Sequence, residues 1–337
     1  MNILLSAVGR RTYLVRQFQQ ALQGRGKVIA LDTNFDSPAM LVADERYLAP
    51  PAHDPAYVDW VLALALRTQA GLICSLHDVE GFVLAQHGQR FVNAGIQAIL
   101  PSHDWARLCL DKLACGVFLR DAGFEAPWTS TSLTETAESL AKGDLNFPLV
   151  IKARLGFGSL ALAVCQDWAQ LVSAYHKAAI ELGDSPSQAV FPLHESERVL
   201  IQSWIAGKEY RMELLHDLKG RYASHFICEL HQMRFGESES VTTRDPDLLN
   251  DLPHRLSKLF VHNSIWGLDL IWDGEQAIIL DINPRFTGAY PFCHLAGANV
   301  PAALVAWAMG QEAKPEWLRM ASGIRGVKIF ETMEIDR

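Results

Sequence analysis

Over its first hundred residues the chain alternates short apolar runs with stretches of helical spacing, and this alternation constrains the fold most strongly. NILLSAV opens as an apolar strand. VIALDT (28–33) supplies a second, GLICSLHD (71–78) a third and QAILPS (97–102) a fourth. Residues 11–23 put Leu14, Val15, Phe18, Ala21 and Leu22 on one helix face, and residues 55–69 do the same with Val58, Val61, Leu62 and Ala65. Strands separated by helices need crossover connections, so a small open parallel α/β sheet is expected here.

The pattern then changes. The spacing predicts a helix over 104–122, stopped by Gly123 and Pro127. FPLVIKA (147–153) and LALAV (160–164) flank a glycine-containing loop and read as a hairpin. A helix is expected over 167–182 and a polar, proline-bearing loop over 183–197. RVLIQSWIAG, EYRMELLHD and RYASHFICEL are successive strand-like runs, followed by a helix at 246–262. GLDLIWD and AIILDIN form a strand pair turning at Asp273–Gly274, and a last helix covers 300–309. The larger, later part is therefore α+β.

The charge balance excludes some partners. A net charge of −8 gives no general attraction to phosphate backbones, so nucleic acid is not expected. The six cysteines (Cys74, Cys109, Cys115, Cys165, Cys228, Cys293) include no C-x-x-C pair and read as buried reduced thiols. The apolar run ILLSAV is too short for a signal peptide, and its arginines follow rather than precede it. No run reaches membrane-spanning length. A cytoplasmic protein is expected.

Two acids sit where isolated charge is costly. Asp269 lies inside GLDLIWD and Asp281 inside AIILDIN, each among Leu, Ile and Trp. A hairpin turning at 273–274 lets the two carboxylates meet, and Asn283 shares the face of Asp281. Two carboxylates and an amide oxygen are hard ligands suited to Mg²⁺, with Mn²⁺ an alternative. Arg285 adds a planar cation beside them, fit for a phosphoryl group or an oxyanion. The competing reading is that Asp281 and Asn283 cap a turn before Pro284. Lys152 ends an apolar strand and is followed by Arg154-Leu-Gly156-Phe-Gly158-Ser159, a loop whose backbone N–H groups can close over phosphate oxygens. It is not a Walker A motif, and an ordinary glycine turn competes with that reading. Gln202 lies in the strand VLIQSWIAG, with Glu209 after Gly207.

Taken in order, Lys112, Lys152, RLGFGS, Gln202, GKEY, Asp269 and DINPRFTGAYP resemble the ATP-grasp superfamily, closest to its carbamoyl-phosphate-synthase-like branch. The resemblance covers about residues 1–310. It implies a pre-ATP-grasp α/β domain (1–104), a linking helix and connector (105–135), a small lobe (136–206) and a large lobe with C-terminal tail (207–337). It implies that Lys112 and Lys152 contact ATP phosphates under a flexible loop of Gly156, Gly158 and Ser159, open without nucleotide and closed with it. Gln202, Trp204 and Ile205 resemble the strand that reads adenine, with Glu209 on the ribose. Asp269, Asp281 and Asn283 resemble the magnesium ligands, and Arg285 and Lys152 the catalytic cations. The family usually has Glu where Asp281 stands, and often Glu where Gln202 stands.

For the other substrates the residues offer less. Gly9-Arg10-Arg11 follows the first strand, and a glycine turn at a helix start can receive an anion. A plain turn with solvated arginines is the alternative. RFGESES (234–240) reads as a charged loop; the resemblance puts it over the acyl-forming end of the cleft. Arg211 and Arg234 are then candidates for a carboxylate, and Glu237 and Glu239 for an amine. The expected activity is an ATP-dependent carboxylate–amine ligase working through an acyl phosphate and releasing ADP. Its partners would be a small carboxylate and an amine, an amino acid among the candidates, with a homodimer left open. Carboxyphosphate or carbamoyl chemistry from bicarbonate, and a nucleotide-binding module without turnover, are the alternatives. A nicotinamide dehydrogenase is disfavoured, because no G-x-G-x-x-G follows the first strand.

Overall fold

The structure is a computed structural model and describes residues 1–156, 160–234, 236–260, 263–329 and 331–335. The first hundred residues form a parallel five-stranded sheet: β1 (Asn2–Ser6), β2 (Val28–Asp32), β3 (Glu45–Leu48), β4 (Ala70–Ser75) and β5 (Gln97–Ile99). The order is β3-β2-β1-β4-β5, so the winding direction reverses between β1 and β4. Such a switch point opens a crevice at the carboxyl ends of the two strands, where connecting loops diverge. Four of these strands were expected. The edge strand β3 (ERYL) was not, because four half-exposed residues with two charges carry no apolar run.

A second sheet is antiparallel, in the order β6-β9-β7-β8. It comprises β6 (Thr129–Ser130), β7 (Leu149–Ala153), β8 (Ala163–Cys165) and β9 (Val199–Ser203). Leu149, Ile151 and Ala153 pack against Leu171, Tyr175 and Ala178 of the helix Trp168–Glu181. Strand alternation then turns Val150 and Lys152 to the opposite face. The β7–β8 hairpin is as expected, with Leu149 opposite Cys165.

The third sheet has six strands in the order β14-β13-β10-β11-β12-β15. These are β10 (Lys208–His216), β11 (Tyr222–Arg234), β12 (Glu237–Arg244), β13 (Ile265–Trp272), β14 (Ala277–Asn283) and β15 (Arg325–Val327). On one face Met212, Leu214, Leu268, Leu270 and Ile279 build a core with Cys115, Leu119 and Leu256 from flanking helices. The expected β13–β14 hairpin forms, and Asp273 caps its turn by accepting from Glu275 N and Gln276 N, both at 2.9 Å.

Some expectations need correction. The helix expected over 104–122 is two, His103–Leu110 and Lys112–Asp121. Asp111 between them is extended, and its carboxylate accepts from Leu113 N and Ala114 N, capping the second helix. The segment 183–197 is not all loop, since Pro186–Val190 is helical. Of the helix expected over 246–262, Leu252–Leu259 is helical, Asn250 (φ +49°) separates it from a 3₁₀ turn at Pro246–Leu249, and residues 261–262 lie outside the described residues. Of RFGESES, Arg234 ends β11 and residues 237–240 begin β12, so these are strand rather than loop, while Phe235 lies outside the described residues. All six cysteines are buried and reduced, as expected. Among the described residues no helix is long and apolar enough to cross a membrane.

Candidate active site

The three sheets meet around one cleft of about 680 Å³. The six-stranded sheet is its floor, β7–β9 its roof, and the loops after β1 and β4 close one end with Gly9, Arg10, Arg11 and His77.

On the floor, Asp269 and Asp281 are direct register partners across β13 and β14, and Gly267 opposes Asn283. Each acid is held by one cation. Arg211 Nε lies 2.9 Å from Asp269 Oδ1, and Lys112 Nζ lies 3.1 Å from Asp281 Oδ2. Burial raises the Asp269 carboxyl against the pull of Arg211, and the facing Asp281 raises it further. Two carboxylates that repel each other at the edge of a cleft, with an amide oxygen beside them, suit a hard divalent cation. Among the described residues no group of three or more His, Cys, Asp or Glu is arranged to hold a metal. A cation here would therefore draw on Asn283 and on phosphate oxygens.

The break at Asp111 starts a helix with Lys112 and turns that side chain into the cleft, where Nζ also donates to Gly156 O at 2.5 Å. Burial works against its charge, and Asp281 outweighs burial and holds its pKa up. Lys152 descends from β7, and burial pushes it down to about 8. A phosphate between these lysines would supply the negative charge that Lys152 lacks. Gly156 lines the cleft at φ +122°, a conformation that favours glycine. Gly158 and Ser159, and with them most of the expected lid, lie outside the described residues.

Toward the roof, Gln202, Trp204 and Ile205 line the cleft with the apolar Val150, Leu160, Leu162, Val164, Ile271 and Leu280. The Gln202 amide donates to Thr129 Oγ1 at 3.1 Å, so its side chain is committed to β6. Glu209 is exposed at the rim, 3.6 Å from Arg211.

At the far end Arg285 is fixed by a partner that sequence reasoning missed. Its Nε and Nη2 both donate to Asp78 Oδ2, at 3.0 and 2.7 Å, and Nη1 donates to Phe286 O. Asp78 is the first residue of the helix Asp78–Gln86 that follows β4, and only 9% of its side chain is exposed. Burial alone would raise its pKa, but the guanidinium holds it below the ordinary range. The only available signal was an acid at the carboxyl end of an apolar strand. His77 beside it is kept uncharged by burial, with its pKa pushed down to about 4.

The remaining candidates divide. Glu237 lines the cleft between Arg11 (3.4 Å) and Lys328 (2.9 Å). Burial opposes its charge, yet these cations bring its pKa down to about 2. Arg211 lines the cleft but is spent on Asp269. Arg234 and Glu239 pair with each other at 3.0 Å along the β11–β12 hairpin, and neither is a lining residue. The hairpin reaches the cleft through Met233, Gly236, Glu237 and Ser238 instead. Gly9 lines the cleft while its N–H donates to Asp32 Oδ2 at 2.8 Å.

Paired acids on an antiparallel floor, opposed by one lysine from a helix start and one from a smaller sheet, define a nucleotide-gripping cleft of the ATP-grasp kind, whose chemistry is ATP-dependent ligation. The model of the ATP-grasp domain matches residues 109–289, and the chain belongs to that family. Residues 3–99 match the PylC-like, N-terminal domain. The biotin carboxylase domain of Hydrogenobacter thermophilus 2-oxoglutarate carboxylase, solved with MgADP, ADP and bicarbonate, superposes with a TM-score of 0.73. It is 18% identical, over 95% of this chain and 72% of that one. N5-carboxyaminoimidazole synthetase from Staphylococcus aureus, complexed with ADP, gives a TM-score of 0.69 at 15% identity over 93% and 78%. At these identities the likeness is one of fold. Acetyl-CoA carboxylase of Saccharomyces cerevisiae is 26% identical over 177 residues, 49% of this chain and 7% of the length of that relative.

Proposed function

We propose that the protein is a carboxylate–amine ligase that activates a small carboxylate as an acyl phosphate, passes it to an amine, and releases ADP and phosphate. The observation that carries this reading is the row of groups along the cleft. Lys112 and Lys152 face the Asp269–Asp281 pair, and Arg285 follows where that pair ends. In this reading Lys112 and Lys152 neutralise the terminal phosphates, and Glu209 takes the ribose. The backbone around Gln202, Trp204 and Ile205 receives the base. Asp269, Asp281 and Asn283 would hold Mg²⁺, which supplies charge neutralisation at the transferring phosphoryl group. Arg285, kept in position by Asp78, stabilises the oxyanion that develops at the acyl carbon. Arg10, Arg11 and Glu237 are left to receive the acid and the amine at the end away from the base.

The test is a screen of metabolite acids and amino acids, alone and in pairs, by phosphate release, with chromatography of the spent nucleotide. ADP formed only with both an acid and an amine is expected. AMP with pyrophosphate would mean adenylation and would overturn the reading. A second reading, carboxyphosphate formation from bicarbonate, is favoured by the likeness to the yeast carboxylase. ADP release that needs bicarbonate and no other acid would select it.

A further inference from the structure

One acid under the cleft has no part in the roles above. Glu213 follows Glu209 and Arg211 at every second residue of β10, so the three project to the same side of the sheet. Glu213 is completely buried. Its Oε1 accepts from Thr287 Oγ1, while Oε2 has no hydrogen-bond partner among the described residues. Thr287 lines the cleft beside Gly288, and its Oγ1 also accepts from Ala289 N at 3.1 Å. The close approach needs Gly267 on β13. A Cβ there would come within 2.2 Å of Thr287 Cγ2 and 3.1 Å of Glu213 Oε2.

A hydroxyl between a buried carboxyl and a cleft can carry a proton in either direction. When Glu213 is ionised, Thr287 donates to it. When Glu213 is protonated, it donates to Thr287, whose own hydrogen is then free to turn toward the cleft. Burial pushes Glu213 up to about 7, against the hydrogen bonds from Thr287 and the pull of Arg285, and Asp269 raises it further. The other ionisable neighbours are Tyr13 from the helix Thr12–Leu22, and Tyr290 and Cys293 from the helix Tyr290–Leu295. Burial raises all three, so they stay neutral where Glu213 changes charge.

We propose that Thr287 and Glu213 form a proton relay that converts the incoming ammonium group into the amine that attacks the acyl phosphate. This rests on the ligase reading above. The ammonium N–H gives its proton to Thr287 Oγ1 as the threonine hydroxyl proton passes to Glu213 Oε1. The nitrogen lone pair then forms the C–N bond, and the C–O bond to phosphate breaks with its electron pair going to phosphate. The second nitrogen proton leaves with that phosphate. Glu213 returns its proton to water through Thr287 before the next turnover.

Hydroxylamine separates this role from a structural one, because it is uncharged at neutral pH and needs no deprotonation. Glu213→Gln keeps the shape but takes up no proton. With the acid identified by the phosphate-release screen, amide formation from its ammonium-bearing partner should fall on the order of 10²–10⁴-fold and lose its acid limb near pH 7. Hydroxamate formation should fall far less. Thr287→Val should behave alike, and Thr287→Ser should restore the amide rate. Equal losses with both nucleophiles, or an acid limb that survives in Glu213→Gln, would overturn the relay. In the substrate-free protein, infrared difference spectra should contain carboxyl bands that titrate near pH 7 from both Glu213 and Glu80, and the Glu213 band is the one missing from Glu213→Gln and retained in Glu80→Gln. Absence of that band from the unsubstituted protein overturns the relay independently of any substrate. Failure of every acid to release ADP sinks the ligase reading instead.

Discussion

Replacing Asp78 by Asn should cripple the chemical step while leaving nucleotide binding nearly intact. Asp78 and Arg285 are 207 residues apart and only 9% and 12% exposed, so their bond joins the first sheet to the end of the large one. Stranding a buried guanidinium by removing its partner costs about 3–5 kcal/mol. Asparagine keeps a hydrogen-bond acceptor and loses only the charge, so about 2–3 kcal/mol is expected. If that energy holds Arg285 at its working position, kcat falls about 30- to 160-fold. KM for ATP should stay within a few-fold, since Lys112 and Lys152 are untouched. The assay is steady-state ADP release with thermal unfolding run alongside, and Asp78→Glu as the conservative control. Because Arg285 holds the Asp78 pKa below its ordinary value, the contribution of the pair is fully present above pH 4 or so. It is lost only as pH falls through the lowered value, so activity measured between pH 6 and 9 should carry no limb from Asp78. A kcat close to that of the unsubstituted protein would show that the guanidinium needs no such partner, and the argument would fall.

Asp281→Asn removes one of the two facing carboxylates and should take turnover to background with the circular dichroism spectrum unchanged; measurable turnover at saturating Mg²⁺ would refute the metal assignment. Glu80, buried and accepting from Tyr57 Oη at 2.7 Å, is pushed by burial from the ordinary glutamate range up to about 7. A raised acid stabilises fully below its unfolded value and loses that contribution as pH rises through its folded value. Stability should therefore decline by up to ~3 kcal/mol between pH 4.5 and 7, and Glu80→Gln should flatten the decline in urea unfolding; an unchanged slope in the variant would sink this. Adding an ATP analogue with Mg²⁺ should slow amide exchange across residues 154–160; no change at saturation would mean the lid lies elsewhere.

Local patterns made much of this legible. The alternation of strand and helix gave the first sheet, and acids inside apolar runs gave the Asp269–Asp281 hairpin pair, because both signals lie in short windows. The Asp111 break was hidden, because a single acid inside a helical pattern looks like any polar residue until Arg154 and the cap are seen to claim it. Asp78 read as the last residue of an apolar strand, because its partner lies far along the chain. Glu213 stayed hidden in a strand that already offered Glu209 and Arg211. Arg234 and Glu239, which looked available for ligand, pair with each other across the hairpin.

Asp111 has a mechanical consequence. Its carboxylate caps the helix that begins with Lys112 and receives Arg154 Nε and Nη2, at 2.9 and 2.8 Å. Lys112 N also donates to Arg154 O at 3.1 Å, and Asp111 bridges to Leu155. The exit of β7 and the root of that helix are thus riveted into one block. Any hinge for a closing flap must begin after Leu155, so the two lysines keep their spacing while the flap swings. A cleft built this way holds the backbones of Lys112 and Lys152 at one spacing, and the Lys112 Nζ bond to Gly156 O ties that block to the segment proposed to close.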